Sequence, residues 1–242
     1  MTEIYLTKMV LNPKCPNVRR DLGNPQELHK TVSSAFPKVE NQAHLKQHER
    51  ETPRNQFNIL HRLEVDKQRG VAVLLVQSIA QPDWSFLDSD YAVELKCRTV
   101  HEQYENIENG MNLMFRLQAN PTKRIGNSDV IANERFKDSK NRRRVELRSD
   151  EDRIKWLSRK GEEAGFRLCD VKIAPIPNVA SVEEGKINFS KVKNSPKITF
   201  GSVVFEGVLV VTDSMKFKES IVNGIGTGKA YGFGLMSVAK VR

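Results

Sequence analysis

Five histidines, His29, His44, His48, His61 and His101, are the side chains of this 242-residue chain best suited to move a proton near neutral pH. His44 and His48 stand four residues apart, a spacing that puts two imidazoles on one helix face as metal ligands. The three cysteines, Cys15, Cys97 and Cys169, are remote from them in sequence, so the rest of a zinc site is missing. Asp88 and Asp90 form an Asp-x-Asp pair that could hold a divalent ion, but acids in a turn explain it better. His29 differs from all of these. It follows Asn24-Pro25, a good N-cap and a proline suited to the first helical position, with Glu27 at capping-box spacing. Leu28, Val32, Ala35 and Phe36 then recur as one apolar stripe, and His29 stands beside it. Placed in the first turn, its imidazole would have its pKa lowered by the positive end of the helix dipole, which favours the neutral base. An exposed histidine without a role is the simpler reading of that position alone.

A second set of residues could hold phosphates. The chain has 39 Lys and Arg against 30 Asp and Glu, a net charge of +9 that favours polyanionic partners. Arg142, Arg143 and Arg144 close a basic run that begins at Lys140, with Arg148 just beyond. Lys123 and Arg124 follow Asn120-Pro121, and Arg19 and Arg20 follow Asn12-Pro13 in the same manner. Lys191 and Lys193 alternate on an expected strand, so both project from one face. Each cluster alone reads as a solvated surface; several of them on loops and edges favour nucleic acid.

The segment 224–234 carries five glycines in eleven residues. It is not a P-loop, because Asn223 stands where the first Walker glycine belongs and Ala230, not Ser or Thr, follows Lys229. The dinucleotide pattern fails too, since Lys229 occupies the third glycine position after Gly226. Two causes for the glycines remain. Gly226 and Gly228 could turn backbone N–H groups toward phosphates beside Lys229, or the loop is simply a tight connection from helix to strand.

The elements that must position these residues follow from periodicity. Ile4–Leu11 reads as a strand, 12–23 as a loop and Asn24–Phe36 as a helix stopped by Pro37. Residues 38–56 are polar and loop-like. Phe57–Glu64 and Gly70–Ile79 read as an antiparallel hairpin, and Tyr91–Cys97 as a further strand. The second half repeats the order. Met111–Ala119 is a strand, 123–148 a long polar segment, Glu151–Gly161 a helix and Phe166–Ile173 a strand. Lys186–Val192 and Ile198–Val211, the latter bent at Gly207, follow as strands. A short helix at Ser214–Val222, the glycine-rich loop and a last strand at Gly234–Val241 close the chain. Strand-helix-strand-strand-helix-strand is complete in the second half, and the first half lacks its second helix. The fold class expected is α+β, with two tandem ferredoxin-like domains built on antiparallel sheets: 1–98, a linker at 99–110, and 111–242.

Other classes are excluded. No apolar stretch approaches the ~18 residues of a membrane span, so no membrane partner is expected. The first residues lack a basic region followed by a long apolar run, so no secretory signal is expected. Three scattered cysteines give no disulfide framework, and a reduced, cytoplasmic location fits best.

The motifs also resemble a known family. The opening MTEIYLTKMVLNP, then RRDLGNP at 19–25 and LHK at 28–30, resemble the start of CasE, the repeat endoribonucleases of type I-E CRISPR systems. The likeness continues in QPDW at 81–84, FRLQANPTKR at 115–124, Gly165-Phe166, VFEG at 204–207, the loop 224–234 and LMSV at 235–238. It runs end to end in the same order. It implies two RNA-recognition-like (RAMP) domains that cut precursor CRISPR RNA at the base of the repeat stem-loop, without metal or other cofactor. It implies too that the enzyme stays on the mature crRNA among the other Cascade subunits. The family's catalytic histidine on the first helix maps onto His29. Some members carry a tyrosine three residues earlier, where this chain has Gln26, which can hydrogen-bond a phosphate but cannot transfer a proton. Lys30 is then a candidate partner. Phosphate contacts are expected from Arg19, Arg20, Gln26, Lys30, Lys123, Arg124, Arg142, Arg143, Arg144, Lys191, Lys193, Gly226, Gly228 and Lys229.

Overall fold

The computed structural model describes residues 3–38, 52–66, 68–124, 144–175, 186–189 and 198–241. In the first half, Tyr5–Leu11 (β1), Leu60–Asp66 (β2), Val71–Ser78 (β3) and Ala92–Thr99 (β4) form a four-stranded sheet in the order β2-β3-β1-β4. Every neighbouring pair is antiparallel. Alternation along β1 buries Thr7, Met9 and Leu11 on one face, as period-two patterning requires. That face is covered by Pro16–Gly23 (α1) and Pro25–Ser34 (α2), through Val18, Leu28 and Val32.

In the second half, Asn112–Ala119 (β5), Phe166–Pro175 (β8), Val203–Val211 (β11) and Met236–Lys240 (β12) form a sheet in the order β12-β5-β11-β8. Asp150–Ala164 (α5) and Ser214–Asn223 (α6) lie against it through Trp156, Leu157, Phe217 and Ile221. Counting strands within each half, both orders read fourth-first-third-second, the antiparallel arrangement of the ferredoxin-like fold. Among the described residues 79–91, where the first half would place its second helix, there are only turns. Between the sheets lies a short helix, His101–Glu105 (α4).

Two sequence expectations need correction. The segment after Asn12-Pro13 is not a loop: Pro16 starts α1 at a position where its missing N–H costs nothing. Val18 and Asp21, three residues apart, form the buried side of this helix. The expected strand 198–211 is two strands, Ile198–Gly201 (β10) and β11, separated at Ser202. β11 runs on through Gly207, where a Cβ would lie 2.0 Å from the Asp170 carbonyl oxygen of β8, and the β11–β8 register shifts just beyond it, between Val208 and Leu209. β10 pairs with Lys186–Phe189 (β9) rather than with the main sheet.

The two halves are pinned by one buried guanidinium. Arg62 on β2 is 2% exposed. Its Nη1 donates to the backbone oxygens of Arg116 (3.1 Å) and Leu235 (2.9 Å), its Nη2 to Ser237 Oγ (2.9 Å) and its Nε to Glu64 (2.9 Å). Asn58 to Asn223 (3.0 Å) and Gln77 to the Ile221 carbonyl (3.0 Å) add to the same seam. Arg62→Ala would strand two carbonyls and the Ser237 hydroxyl, while Glu64 keeps Arg116 at 3.2 Å. A loss of about 3–5 kcal/mol in urea-unfolding free energy is expected. A loss below about 1 kcal/mol would show that the seam carries little of the stability.

Candidate active site and nucleic-acid interface

His29 lies on α2, whose entry is set by Asn24: its Oδ1 accepts from the Gln26 N–H (3.0 Å). Glu27 does not close a capping box. Its carboxylate takes Lys30 Nζ at 2.6 Å and lies 3.9 Å from Arg20. Pro25 is the first helical residue, which places His29 in the second turn rather than the first. The imidazole is half-buried and its pKa is lowered, first by burial and then by the charge of Arg54. The dipole effect expected from the sequence is therefore replaced by a tertiary one.

Arg54 belongs to a short helix, Pro53–Gln56 (α3), capped by Thr52. It is half-buried, and its side chain meets the Asn55 amide oxygen. No carboxylate among the described residues pairs with it. Its charge also acts on His61 and Lys229. His61, on β2, presents its ring to His29 with centroids 6.4 Å apart and planes 21° from parallel. Burial, and secondarily His29 and Arg54, push its pKa from 6.5 to about 3. Unfolded chains take up a proton in that interval that the folded chain refuses. This group therefore contributes stability above pH 6.5 that is lost as pH falls toward 3.

The glycine-rich loop supplies the remaining wall. A 3₁₀ turn, Lys229–Tyr231, contacts both α2 and β2. Lys229 is half-buried, and its Nζ donates to the Asn223 carbonyl oxygen at 2.6 Å. Burial, then Arg54 and Lys160, lower its pKa. The glycines have a structural cause as well. Gly226, at φ 86°, lies where a Cβ would come within 3.2 Å of the Trp156 ring, so this position requires glycine for packing. Thus the charge of Arg54 acts on His29, on His61 and on Lys229, and the turn carrying Lys229 brings the second half of the chain against α2 and β2.

The phosphate candidates divide. Arg20 donates to Asp21 at 2.9 Å, and the buried Asp21 also accepts from Thr31 (2.6 Å) and Tyr91 (2.8 Å). Arg20 thus ties α1 to α2, while Arg19 is exposed. Gln26 is half-buried one turn before His29; Lys30 is exposed and paired with Glu27. Thr122–Arg124 (β6) and Arg144–Glu146 (β7) form an antiparallel ribbon that brings Arg124 directly opposite Arg144, both exposed, beside Lys123. Like charges in that register repel, an arrangement a phosphate would relieve. Gly226 and Gly228 have left-handed backbones in the loop. Arg142, Arg143, Lys191 and Lys193, with Lys140, His44 and His48, lie outside the described residues.

Asp88 and Asp90 come together with Cys15, their ligand atoms within 4.8 Å of one another. Asp88 already accepts from Asn17 Nδ2 at 2.6 Å. This cluster is at the Leu11 end of β1, where Asn12 bonds the Asp90 carbonyl, whereas His61 shares the Thr7–Val76 row. Four residues of strand, roughly 13 Å, separate the two rows.

Comparison with known proteins gives a consistent picture. The model of the family described as CRISPR associated protein matches residues 4–240. The CRISPR-associated endoribonuclease Cse3 of Thermus thermophilus is 32% identical over 240 residues, 98% of this chain and 100% of that protein. The CRISPR system Cascade subunit CasE of Escherichia coli K12 is 33% identical over 169 residues, 69% of this chain and 73% of that protein. The solved structure of Thermus thermophilus Cse3 bound to an RNA representing a pre-cleavage complex superposes with a TM-score of 0.73 at 32% identity, covering 98% of this chain and 99% of that one. No helix among the described residues is long and apolar enough to cross a membrane.

Proposed function

This chain belongs to the family of CRISPR associated proteins, and from that premise we propose that it is the endoribonuclease that cuts CRISPR precursor RNA at the base of the repeat stem-loop. It then remains on the mature crRNA as a subunit of a Cascade assembly in the cytoplasm, acting through two units, 1–98 and 111–242, joined at 99–110. One observation carries the catalytic reading: a half-buried imidazole on α2 stands against the ring of His61, under the charge of Arg54, where the Lys229–Tyr231 turn of the other half packs on α2 and β2.

RNA brings its own nucleophile, the 2′-OH. Neutral His29 removes that proton while the oxygen attacks the adjacent phosphorus. Arg54 and Lys229 balance the charge that gathers on the phosphorane oxygens. Gln26, one turn before His29, offers an amide hydrogen bond to the phosphate but no proton. Between the cations, Lys229 is better suited than Lys30 to protonate the leaving 5′-oxygen. Burial lowers its pKa, and its bond to Asn223 leaves two of its three N–H groups to donate. Lys30 is 67% exposed and held by Glu27.

The stem is held by its backbone, since A-form grooves are read chiefly by shape. Arg124 and Arg144 on the β6–β7 ribbon, with Lys123, Arg142, Arg143, Lys191, Lys193, Arg19 and the Gly226–Gly228 backbone, supply those contacts. Reversing the charge of Arg124 and Arg144 together is expected to weaken hairpin binding. It should also reduce the slope of log K against log salt by roughly 0.9 per lost phosphate contact. A slope equal to the wild type's would place the ribbon away from the RNA.

The deciding experiment is single-turnover cleavage of a repeat hairpin. A discrete 5′ and 3′ product pair is expected. RNA that binds with full affinity and stays intact would instead make this a non-catalytic RNA-binding subunit.

A further inference from the structure

His61 has no part in the chemistry above, yet it is the most enclosed polar ring beside it. Its side chain is 2% exposed, and its Nε2 is buried without a hydrogen-bond partner. A ring of the same shape without that nitrogen would avoid the cost, so a hydrogen bond at Nε2 is not what this imidazole provides. What it provides is a face. That face lies 6.4 Å from His29, nearly parallel to it. The glycine-rich loop abuts the same ring at Gly232, where a Cβ would be 3.7 Å from both Cδ2 and Nε2. His61 is thus bounded by the proposed base on α2 and by a loop of the other half of the chain.

We propose that His61 is a positioning residue for His29: its flat ring, abutted by Gly232, fixes the His29 imidazole and excludes water from its inner side. The inference rests on the reading of His29 as the general base. It also makes the base depend on both halves of the chain, because the ring is confined only while the glycine-rich loop is docked on β2. Among the described residues, Arg54 from α3 acts on both rings, and Lys229 is carried by the 3₁₀ turn that packs on α2 and β2. On α2 itself, Glu27 and Lys30 are engaged with each other.

Cleavage rates at saturating hairpin, from about pH 5 to 9, separate this role from simple support of the fold. His61→Ala opens the inner side of His29 to water and relieves the burial that favours its neutral form. The acid limb of the rate profile should then move to higher pH. The variant is expected to lose at least ~3-fold more rate near pH 6 than near pH 8. His61→Phe, which keeps the flat ring, should restore the profile. His61→Leu, with volume but no flat face, gives the same comparison if the alanine variant does not fold. Loss by one constant factor at every pH would overturn the proposal, as would a His61→Phe enzyme no better than His61→Ala. A wild-type protein that binds the hairpin without cutting it would overturn the underlying reading and this inference together. Cutting by the wild type, with a flat response to His61 changes, would overturn the inference alone.

Discussion

His29→Ala should stop cleavage of a repeat hairpin while leaving its affinity within several-fold of the wild type. Removing a positioned general base costs ~10²–10⁴ in rate, and among the described residues no second base stands ready to replace it. His61 is too enclosed to reach a substrate and, with its pKa pushed to about 3, is a weak base, while Glu27 is committed to Lys30. Fold and RNA affinity should survive, because His29 is only half-buried and the α2 core contacts come from Leu28, Thr31 and Val32. The measurement is a single-turnover rate beside a binding titration on the same hairpin. Cutting at wild-type speed would remove His29 from the mechanism. A collapse of affinity would make it an RNA contact. The wild-type profile has a direction as well. Burial and Arg54 hold the His29 pKa below its ordinary value, so the base stays neutral, and the enzyme active, somewhat below the pH at which a solvent-exposed histidine would protonate.

How far this site could be read without a structure depended on whether its signals were local. α2 was legible because Asn24, Pro25 and the Leu28–Phe36 stripe all lie within one short window. α1 was not, since Cys15 caps it with no side-chain bond and Asn12-Pro13 is a strong turn signal just before it. Lys229 was found through the glycines around it. Arg54 lies in a polar stretch that singles out no residue, and His61 is one of five histidines, set inside an expected strand with nothing local to mark it. Their importance is tertiary: 32 positions separate His61 from the ring it faces, and the loop that confines it lies more than 150 residues further on. The strand order, by contrast, was implicit in the repeated alternation of strands and helices, and the register simply realises it. The family likeness was legible for a different reason: its motifs are short, contiguous and spread from residue 1 to residue 238.

The nucleophile gives the largest effect of all. A repeat RNA with one 2′-deoxy nucleotide immediately 5′ of the scissile phosphate should bind normally and resist cleavage even with His29 intact. Deleting the attacking oxygen leaves the base nothing to deprotonate, so the residual rate should fall by more than the ~10²–10⁴ lost with His29. The product of the unmodified RNA should end in a 2′,3′-cyclic phosphate. The placement of the acids argues for this route. A two-metal hydrolysis needs carboxylates converging on the scissile bond to generate hydroxide from water. Among the described residues, the cluster of suitable ligands is Cys15, Asp88 and Asp90, at the Leu11 end of the first sheet. His29 faces the ring of His61, which sits in the row of Thr7 and Val76, roughly 13 Å of strand away. What converges near His29 is positive charge from Arg54 and Lys229, which stabilises a phosphorane but would repel a divalent cation. EDTA should accordingly leave the rate unchanged. Efficient cutting of the deoxy-substituted RNA, or EDTA inhibition reversed by magnesium, would move the reaction to Asp88 and Asp90 and leave His29 as a bystander.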